Sequence, residues 1–581
     1  MLGIQIDGEF LDLPPDTNME LEAENPFLQF ADDNLIGEYS LPFQVIANSK
    51  NNRLLGYAGV GQTRTDNSAT PATLYDNSLQ VGTGSVKKEK LNVHLNKVAK
   101  GTLNCFYLSK ASGFWQDIKE LRLRDIDVGG NRTFAGGTIL QDINTTAFGA
   151  HVLAVMNGAV GAYDYAFYPV QNSSWGTDPG QYFEPPVMNE ISFDGSDIVL
   201  EVSPIVPFPY LKYVLLAAIE HTGWTIEGDI LDDADFEKIT MINFKGIDWG
   251  YYKKIVLVGY IRMRSSITFN LQDHLPDMSI AEFLVALKNR FGWWYDFNNA
   301  AKKITIRKLS DLPTTAAEDM TEYSSPLITK NISQDNNTYA LVNNFITGGG
   351  QGIDTTKTDY QGEVDKTSDL PSPVEALTSQ VYLVIEENNY YSCQQSEGDD
   401  TVWEWQIIGA NIYDYKPDGY TKEITSKATT VEMVRYSDYL DLIPRVDATG
   451  LWNGENGEPE WGIHLAFFFG LRDNKSNDPV PFASHHIYDS QGYTLAAWSL
   501  AYKALKTDNT EVGLYDMNWK DFLDLLNSPE EVEHTLYLPL HKYLQLDFAD
   551  RIIVDGIELF LKQIKASVPY RGVVNCVSVR V

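Results

Sequence analysis

The sequence has few cysteines and lacks any long apolar run. Its three cysteines, Cys105, Cys393 and Cys576, are far apart and lack the spacing of metal ligands, so they predict reduced thiols and neither a disulfide framework nor a zinc site. The first residues, MLGIQIDGEFLDL, have no basic patch followed by an apolar core, and the sequence has no stretch of about 18 apolar residues. We therefore expect no signal peptide, no membrane insertion and synthesis in a cytoplasm.

Basic residues are also scarce. The 45 Lys and Arg residues stand against 79 Asp and Glu residues, which gives a formal net charge of -34. Such a charge repels both phosphate backbones and anionic lipid surfaces. The composition therefore argues against tight binding of nucleic acid, although an acidic wall lets DNA pass without adhering to it.

The sequence lacks the common motifs of nucleotide-binding, hydrolytic and metal sites. Residues 348–352 are rich in glycine but have neither the Lys nor the Ser or Thr of a phosphate-binding loop, and no GxSxG elbow occurs. His485 and His486 are adjacent, so in a strand or helix their side chains should point apart, which disfavours a shared metal. Residues 473–478 resemble a calcium loop, but Lys475 stands where an oxygen ligand is needed, and we predict a surface turn.

Paired carboxylates leave several interpretations open. Glu458 and Glu460 lie beside Trp461 in a Gly/Asn-rich run, a pattern that fits the two acids of a glycosidase, a sugar-binding loop or a solvated turn. We favour the solvated turn. The sequence thus predicts no catalytic, cofactor-binding or metal-binding residue, and no cofactor.

The 581 residues exceed the size at which one hydrophobic core stops growing, about 250–300 residues. The hydrophobic content of 43% is sufficient for packed cores. We expect an α+β fold, predominantly β, with four segments: β-rich residues 1–190, α+β residues 191–325, a linker and small antiparallel sheet in 326–430, and a second β-rich domain with a helix and hairpin in 431–581.

A unit of helix, Gly-Trp and strand occurs twice, at residues 211–224 and 280–293. In the second copy, Ser279 and Glu282 form the pattern of a capping box, and five apolar residues from Ile280 to Phe291 fall on one helical face. Gly223 and Gly292 stand where a left-handed helix end is needed. The repeat predicts two related α+β subdomains, and a chance similarity of two core helices is the alternative.

Apolar runs and turn residues predict the remaining elements. In the N-terminal half they predict strands at 41–46, 53–57, 91–98, 255–260 and 266–271, with 149–161 inside a region of strands and loops. In the C-terminal half they predict a small antiparallel sheet from 381–385, 390–391 and 402–406, a helix through Tyr515 and Leu526, a hairpin turning at Asp555 and Gly556, and a last strand at 573–581.

Three groups of residues carry a resemblance to a known family: 25–27 through 55–57, 273–279 (DHLPDMS) ahead of the second repeated helix, and 519–523 (WKDFL) followed by the 551–562 hairpin. They resemble tail proteins of bacteriophages of the Bacteroidetes-infecting type, and in particular the baseplate hub or tail-associated proteins at the distal end of the tail tube. The similarity spans the N-terminal, middle and C-terminal thirds of the chain and includes no catalytic signature.

The resemblance implies a homotrimer whose subunits each contribute two tube-like antiparallel β-barrel domains to a pseudo-sixfold ring, with smaller α+β domains around it. Such a ring needs heterologous interfaces that close. It implies the tail tube protein, the distal tail protein and tail-tip or fibre proteins as partners, and DNA that passes through during ejection without specific binding. Some members carry a lysozyme, peptidase or fibre extension, which this sequence does not match, so we expect a virion structural protein without enzymatic activity.

Two other functions stay open at this stage. The 12 Trp and 32 Tyr residues, together with Gly/Asn-rich loops, are typical of a carbohydrate-binding or receptor-binding tail module. A polysaccharide hydrolase with two carboxylates is the second alternative.

Overall fold

The structure is a computed structural model. It describes residues 1–25, 39–56, 70–88, 102–109, 114, 118, 120–137, 142–172, 187–194, 197–201, 203–255, 258–298, 301–314, 316–325, 329–332, 338–343, 359–374, 377, 380–384, 389–396, 399–410, 414–436, 440, 442–446, 462–474, 476–489, 491–506, 508, 510–527 and 530–580.

Short strands make up most of the regular structure. Up to residue 209 they are β1 (Leu2–Ile6), β2 (Glu9–Phe10), β3 (Met19–Glu24), β4 (Tyr39–Ser40), β5 (Phe43–Ile46), β6 (Thr70–Asp76), β7 (Leu79–Lys88), β8 (Thr102–Ser109), β9 (Asn131–Ala135), β10 (Tyr165–Ala166), β11 (Val170–Asn172), β12 (Val187–Met188), β13 (Ile191–Asp194), β14 (Asp197–Leu200) and β15 (Phe208–Pro209). From 225 to 410 they are β16 (Thr225–Glu227), β17 (Ile239–Ile242), β18 (Gly250–Ile255), β19 (Val258–Met263), β20 (Ser266–Asn270), β21 (Trp293–Asn298), β22 (Lys303–Lys308), β23 (Ala317–Asp319), β24 (Thr329–Ile332), β25 (Tyr339–Asn343), β26 (Asp359–Val364), β27 (Gln380–Val384), β28 (Asn389–Ser396) and β29 (Asp399–Ala410).

The C-terminal strands and the helices follow, again for the residues that the structure describes. The strands are β30 (Lys422–Ser426), β31 (Ala428–Thr430), β32 (Glu432–Arg435), β33 (Leu442–Val446), β34 (Ile463–Asp473), β35 (Pro479–Ser484), β36 (Glu530–Leu536), β37 (Arg551–Val554), β38 (Ile557–Val568) and β39 (Val574–Arg580). The helices are α1 (Ser49–Leu54), α2 (Ala147–Met156), α3 (Leu211–His221), α4 (Ile280–Phe291), α5 (Lys520–Asn527) and α6 (Leu540–Tyr543). A π-helical turn, Tyr515–Trp519, leads directly into α5.

The predicted class, α+β and predominantly β, is confirmed. Strands form several separate sheets, and helices are few and short. The largest sheet has fourteen described strands in the order β2-β1-β6-β7-β8-β4-β3-β38-β39-β36-β24, with β5 beside β8 and β37 and β23 branching from β38.

The two ends of the chain meet in this sheet. β3 pairs antiparallel with β38 along its whole length, from Met19 opposite Val568 to Glu24 opposite Gln563. The sheet thereby joins strands of the predicted segments 1–190 and 431–581. The division into four domains stays a prediction.

The repeated unit folds as the sequence predicts at its caps. The capping box of Ser279 and Glu282 is present, and Gly223 and Gly292 have positive φ angles of 74° and 62°. The strands after the two helices, β16 and β21, flank β22 in one three-stranded sheet. The prediction of two subdomains is therefore wrong, because both copies contribute to a single sheet.

α4 is buried on all sides and not on one face. Every residue of the helix except Glu282 is buried, including Lys288, Asn289 and Arg290. The polar side chains are accommodated because neighbouring segments supply acceptors, as when Asn289 Nδ2 donates to Thr425 O at 2.6 Å. The expectation of an amphipathic helix fails because the fold encloses α4 in its largest apolar cluster.

Two predicted strands in the N-terminal half, and the run 149–161 that was placed among strands and loops, differ from the structure. Residues 53–54 belong to helix α1, because Asn48 caps the helix by accepting from Asn51 N. The run 149–161 begins within helix α2, whose N-cap Thr146 accepts from Gly149 N. The run 255–260 spans the end of β18 and the start of β19, which pair as a hairpin. The strand predicted at 91–98 lies outside the described residues.

The C-terminal predictions are confirmed. β37 and β38 form the hairpin that turns at Asp555 and Gly556, both with positive φ. β39 is the last strand and pairs with both β38 and β36. β27, β28 and β29 form the small antiparallel sheet, to which β26 adds in parallel.

Candidate functional site

One face of the large sheet is polar where the two ends of the chain meet. In β3, Glu20, Glu22 and Glu24 alternate with buried Met19, Leu21 and Ala23. In β36, Glu531 and Glu533 are more exposed than the buried residues between and after them. The strand register places Glu24, Gln563, Val577 and Glu533 in one row across β3, β38, β39 and β36. The three glutamates of β3 and the two of β36, which are Glu20, Glu22, Glu24, Glu531 and Glu533, are called the glutamate face below.

Two lysines of β38 lie on this face, and both are engaged by glutamates. Lys565 Nζ is 2.9 Å from Glu22 Oε1, and Lys562 pairs with Glu531. Gln563 Nε2 also donates to Glu22 Oε1 at 2.6 Å. Five glutamates against two lysines leave three net negative charges on the face.

The glutamate face therefore repels a polyanion. Exposed ion pairs of this kind stabilise a fold by only about 0–1 kcal/mol each, so their main effect is to neutralise the two lysines that phosphates would otherwise contact. This face was not predicted from the sequence, although the alternation of Met-Glu-Leu-Glu-Ala-Glu in 19–24 is the signal of a strand with one acidic side.

A second polar cluster is buried at the end of α4. Arg290 Nη1 donates to Asn343 Oδ1 at 3.1 Å, Nη2 donates to Leu500 O, and the guanidinium lies 4.2 Å from the centre of the Tyr502 ring. Asn343 in turn donates from N and Nδ2 to Asp414 Oδ1, at 2.8 and 3.1 Å. This network joins α4, β25 and the 500–502 segment. Because Arg290 and Asn343 are buried, we assign the network a structural role.

Glu190 and Glu201 form a pair of carboxyl groups at the base of the β13–β14 hairpin. The hairpin register continues to these residues, since Glu201 N donates to Glu190 O at 2.9 Å. Burial, and then the charge of Glu201, raise the pKa of Glu190 to about 7. Ser192 Oγ donates to Glu201 Oε1. Glu190 can therefore hold a proton near neutral pH.

His485 and His486 do not have the geometry that the sequence predicts, in which their side chains point apart. The rings of His485 and His486 do not point apart, and their centres are 4.1 Å from each other. Both residues follow the end of β35 in a bend, where the alternation of a strand does not apply. Burial lowers the pKa of both rings. Within the described ranges, no group of three or more His, Cys, Asp or Glu side chains could hold a metal ion.

The other residues singled out in the sequence are not brought together. Asn474 and residues 476–478 lie between β34 and β35, where Asn474 Oδ1 accepts from Ser476 N and Asp478 N at 2.8 Å. Cys105, Cys393 and Cys576 are each buried. Lys475, the glycine-rich loop at 348–352 and the carboxylates Glu458 and Glu460 lie outside the described residues.

In the part of the chain that the structure describes, no helix combines the length and the apolar character that crossing a membrane requires.

Comparison with known proteins gives coarse structural matches only. No protein-family model and no curated protein matches the sequence. Among solved structures, the 43 kDa tail protein of prophage MuSo2 from Shewanella oneidensis matches with a TM-score of 0.32 and 7% identity, over 100% of this chain and 97% of that one. A tail protein from Neisseria meningitidis MC58 matches with a TM-score of 0.31 and 8% identity, over 100% and 96% of the two chains. Prophage tail protein gp18 from Listeria monocytogenes EGD-e matches with a TM-score of 0.28 and 8% identity, over 100% and 94%. At these TM-scores the similarity by itself assigns neither a fold nor a function to this chain.

Proposed function

We propose that this chain is a structural protein of a bacteriophage tail, without enzymatic activity, and more specifically a baseplate hub that forms a trimeric ring between tail tube and tail tip. The solved structures named above are tail proteins, but their likeness is too coarse to support the proposal. It rests on the sequence resemblance and on the large sheet.

The observation that carries the proposal is the antiparallel pairing of β3 with β38. This pairing makes one continuous sheet out of the two β-rich ends of the chain, and within the described residues the main strand order ends in β2 on one side and β24 on the other. Edge strands present unpaired backbone groups that favour pairing with another chain. Three copies that join end to end through heterologous contacts would close a ring of six related β units.

The glutamate face supports a role in the passage of DNA. A ring lined by this face would present carboxylates to the phosphates, with Lys562 and Lys565 already paired to glutamates. DNA would then pass without being held. The tail tube protein, the distal tail protein and tip or fibre proteins are the proposed partners, and the proposed location is the phage tail.

Mass photometry of the purified chain, alone and mixed with the tail tube protein of the same phage, tests the ring. We expect a trimer, and a larger complex when the tube protein is present. A chain that stays monomeric at micromolar concentration and does not associate with the tube protein contradicts the proposal.

A charge reversal tests the glutamate face. We expect the double variant Glu20→Lys, Glu533→Lys to bind double-stranded DNA in a gel-shift assay at low salt, because the face changes from three net negative charges to one net positive charge. The unmodified chain should not bind. The matched control is Glu220→Lys, Glu423→Lys, which makes the same charge change at exposed positions outside the face. Equal DNA binding by both double variants would contradict a specific role of this face.

A further inference from the structure

The hairpin of β18 and β19 carries the opposite charge from the chain as a whole. Residues 250–263 contain three basic residues, Lys253, Lys254 and Arg262, and no acidic residue. The whole chain, by contrast, has 79 acidic residues against 45 basic ones. Three tyrosines lie in the same two strands. The two paired strands, β18 and β19, are called the basic ribbon below.

The described contacts fix the basic ribbon at its base. Trp249, directly before β18, is 1% exposed, and Arg264 N donates to Trp249 O at 3.0 Å. The backbone then continues into the pairing of β20 with β9, because Gly136 N donates to Ser265 O and Gly137 N donates to Arg264 O, both at 3.0 Å. β18 and β19 form a two-stranded sheet of their own and pair with no other described strand. The basic ribbon is therefore an arm with a firm base.

The strand register orders the residue types along this arm. Each of the four pairs nearer to the base contains a tyrosine or a basic residue, and the last pair is aliphatic. The pairs are Tyr251 opposite Arg262, Tyr252 opposite Ile261, Lys253 opposite Tyr260, Lys254 opposite Gly259 and Ile255 opposite Val258.

The sequence at the end of the basic ribbon is unusual for a hairpin. Residues 255–258 are Ile, Val, Leu and Val, of which 256 and 257 lie outside the described residues, whereas hairpin connections usually contain Gly, Asn or Asp. An aliphatic end followed by tyrosine, lysine and arginine is the order in which these residue types distribute from the apolar layer of a bilayer to its headgroups.

We propose that the basic ribbon docks this chain on a bilayer surface that contains anionic lipids. Each Lys or Arg near such a surface strengthens binding about fivefold, and aliphatic residues enter the boundary between headgroups and acyl chains. A nucleic acid or an acidic protein would satisfy the positive charges, but neither offers an apolar layer to the aliphatic end. The docking is a contact at the interface, so no segment has to cross the bilayer. It does not depend on assembly into a ring.

The negative net charge of the chain does not prevent this contact. Each strand of the basic ribbon has six residues, which span about 20 Å at about 3.3 Å per residue. The Debye length at physiological ionic strength is only about 8 Å. Acidic residues at the base, such as Asp248, are therefore largely screened from a surface that the far end contacts. The repulsion of anionic lipids that the composition predicts applies to the rest of the chain and not to the basic ribbon.

Vesicle flotation of the full-length chain tests the proposal. We expect the chain to float with vesicles of phosphatidylcholine and phosphatidylglycerol, and roughly tenfold less of it to float with phosphatidylcholine alone. A chain that does not float with the anionic vesicles would overturn the proposal, whether or not the chain forms a trimer.

A pair of double variants tests the charges. Lys253→Gln, Lys254→Gln should reduce binding to the anionic vesicles roughly tenfold or more, because two of the three basic residues are lost. The matched control is Lys302→Gln, Lys422→Gln, which makes the same charge change at exposed positions outside the basic ribbon and should bind as the unmodified chain does. Equal losses in the two double variants would mean that only the overall charge matters and would overturn the role of the ribbon.

A third double variant separates lipid from other polyanions. Ile255→Ser, Val258→Ser keeps every charge and should still reduce binding to the anionic vesicles roughly fivefold or more, because the end of the ribbon is no longer aliphatic. Circular dichroism of each variant checks that the fold is retained. Vesicle binding that is unchanged in Ile255→Ser, Val258→Ser would assign the basic ribbon to phosphate groups alone, such as those of a nucleic acid, and would overturn docking on a bilayer.

Discussion

Gly223 and Gly292 have the same backbone role in different surroundings. Each follows a helix of the repeated unit with a positive φ angle, 74° and 62°. A Cβ atom at Gly223 would meet nothing within 4 Å, whereas a Cβ atom at Gly292 would lie 3.0 Å from Asn518 O and 3.2 Å from Trp519 Cε2. The backbone requirement is therefore shared, and the packing requirement is specific to Gly292.

This difference predicts unequal losses of stability. Gly223→Ala should reduce the free energy of unfolding by about 1–2 kcal/mol, the strain of a left-handed alanine. Gly292→Ala should reduce it by about 2–5 kcal/mol, because overpacking against the Asn518 carbonyl adds to the strain. Urea denaturation followed by tryptophan fluorescence measures both, and equal losses would show that the contact with Asn518 and Trp519 has no energetic effect.

Glu190 predicts a pH dependence of stability. Its pKa is raised from 4.5 to about 7 in the folded chain, so the folded state binds the proton more tightly than the unfolded state. The resulting stabilisation is fully present below about pH 4.5 and is lost as the pH rises through about 7. In urea denaturation, the stability lost between about pH 5 and pH 8 should be on the order of 1–2 kcal/mol larger for the unmodified chain than for Glu190→Gln. The same pH profile in both proteins would contradict this assignment.

At the scale of elements, the start of α4 combines two interactions. Ser279 Oγ accepts from Glu282 N at 3.1 Å, and Glu282 Oε2 accepts from Ser279 N at 2.8 Å. Glu282 also pairs with Lys427 at 2.8 Å, which connects the cap to the turn between β30 and β31. The cap therefore contributes both to the helix and to its docking.

Removal of the cap should destabilise the helix measurably. Ser279→Ala should lower the free energy of unfolding by about 1 kcal/mol, within the usual 0.5–2 kcal/mol for such caps. Ser279→Asp should retain most of the stability, because an aspartate also accepts from the third backbone N–H and its charge favours the helix N-terminus. Hydrogen exchange of the first turn of α4 in the three proteins measures the effect. Equal protection in Ser279→Ala and the unmodified chain would show that docking alone fixes this turn.

Helix caps and the hairpin turn could be predicted from residues close together in the sequence. The pairing of strands that are distant in the sequence could not. The caps at Ser279 and Gly292 and the turn at Asp555 depend on residues within a few positions, so their patterns were sufficient. The pairing of β3 with β38 joins residues more than five hundred positions apart, and no local pattern specifies such a partner. Helix α1 was missed for a related reason: Asn51 is buried and donates to Asp12 O and Ile46 O, which are contacts outside the helix.

The acidic character of the glutamate face could be predicted from the sequence, but its position in the fold could not. The excess of acidic residues is evident from composition, and the alternation in 19–24 marks one acidic strand side. That Glu24 and Glu533 lie in one row follows only from the order of four strands.

At the scale of the whole molecule, the net charge of -34 governs how copies approach each other. Three such chains repel one another at long range, and a ring forms only when short-range pairing at the edges exceeds this repulsion. Salt screens the long-range term while leaving edge pairing and apolar contacts largely unchanged. The proposed trimer should therefore form more readily as the ionic strength rises, in contrast to an assembly held by attraction between opposite charges.

Sedimentation velocity at fixed protein concentration measures this dependence. The trimer fraction should increase between about 0.01 M and 0.15 M salt, because the Debye length falls from about 30 Å to about 8 Å over this range. The Glu220→Lys, Glu423→Lys control variant, whose net charge is less negative by four units, should reach the same trimer fraction at a lower salt concentration. A trimer that dissociates as salt is added would mean that complementary charges hold the subunits together, and edge pairing between uniformly acidic chains would then be the wrong account of the ring.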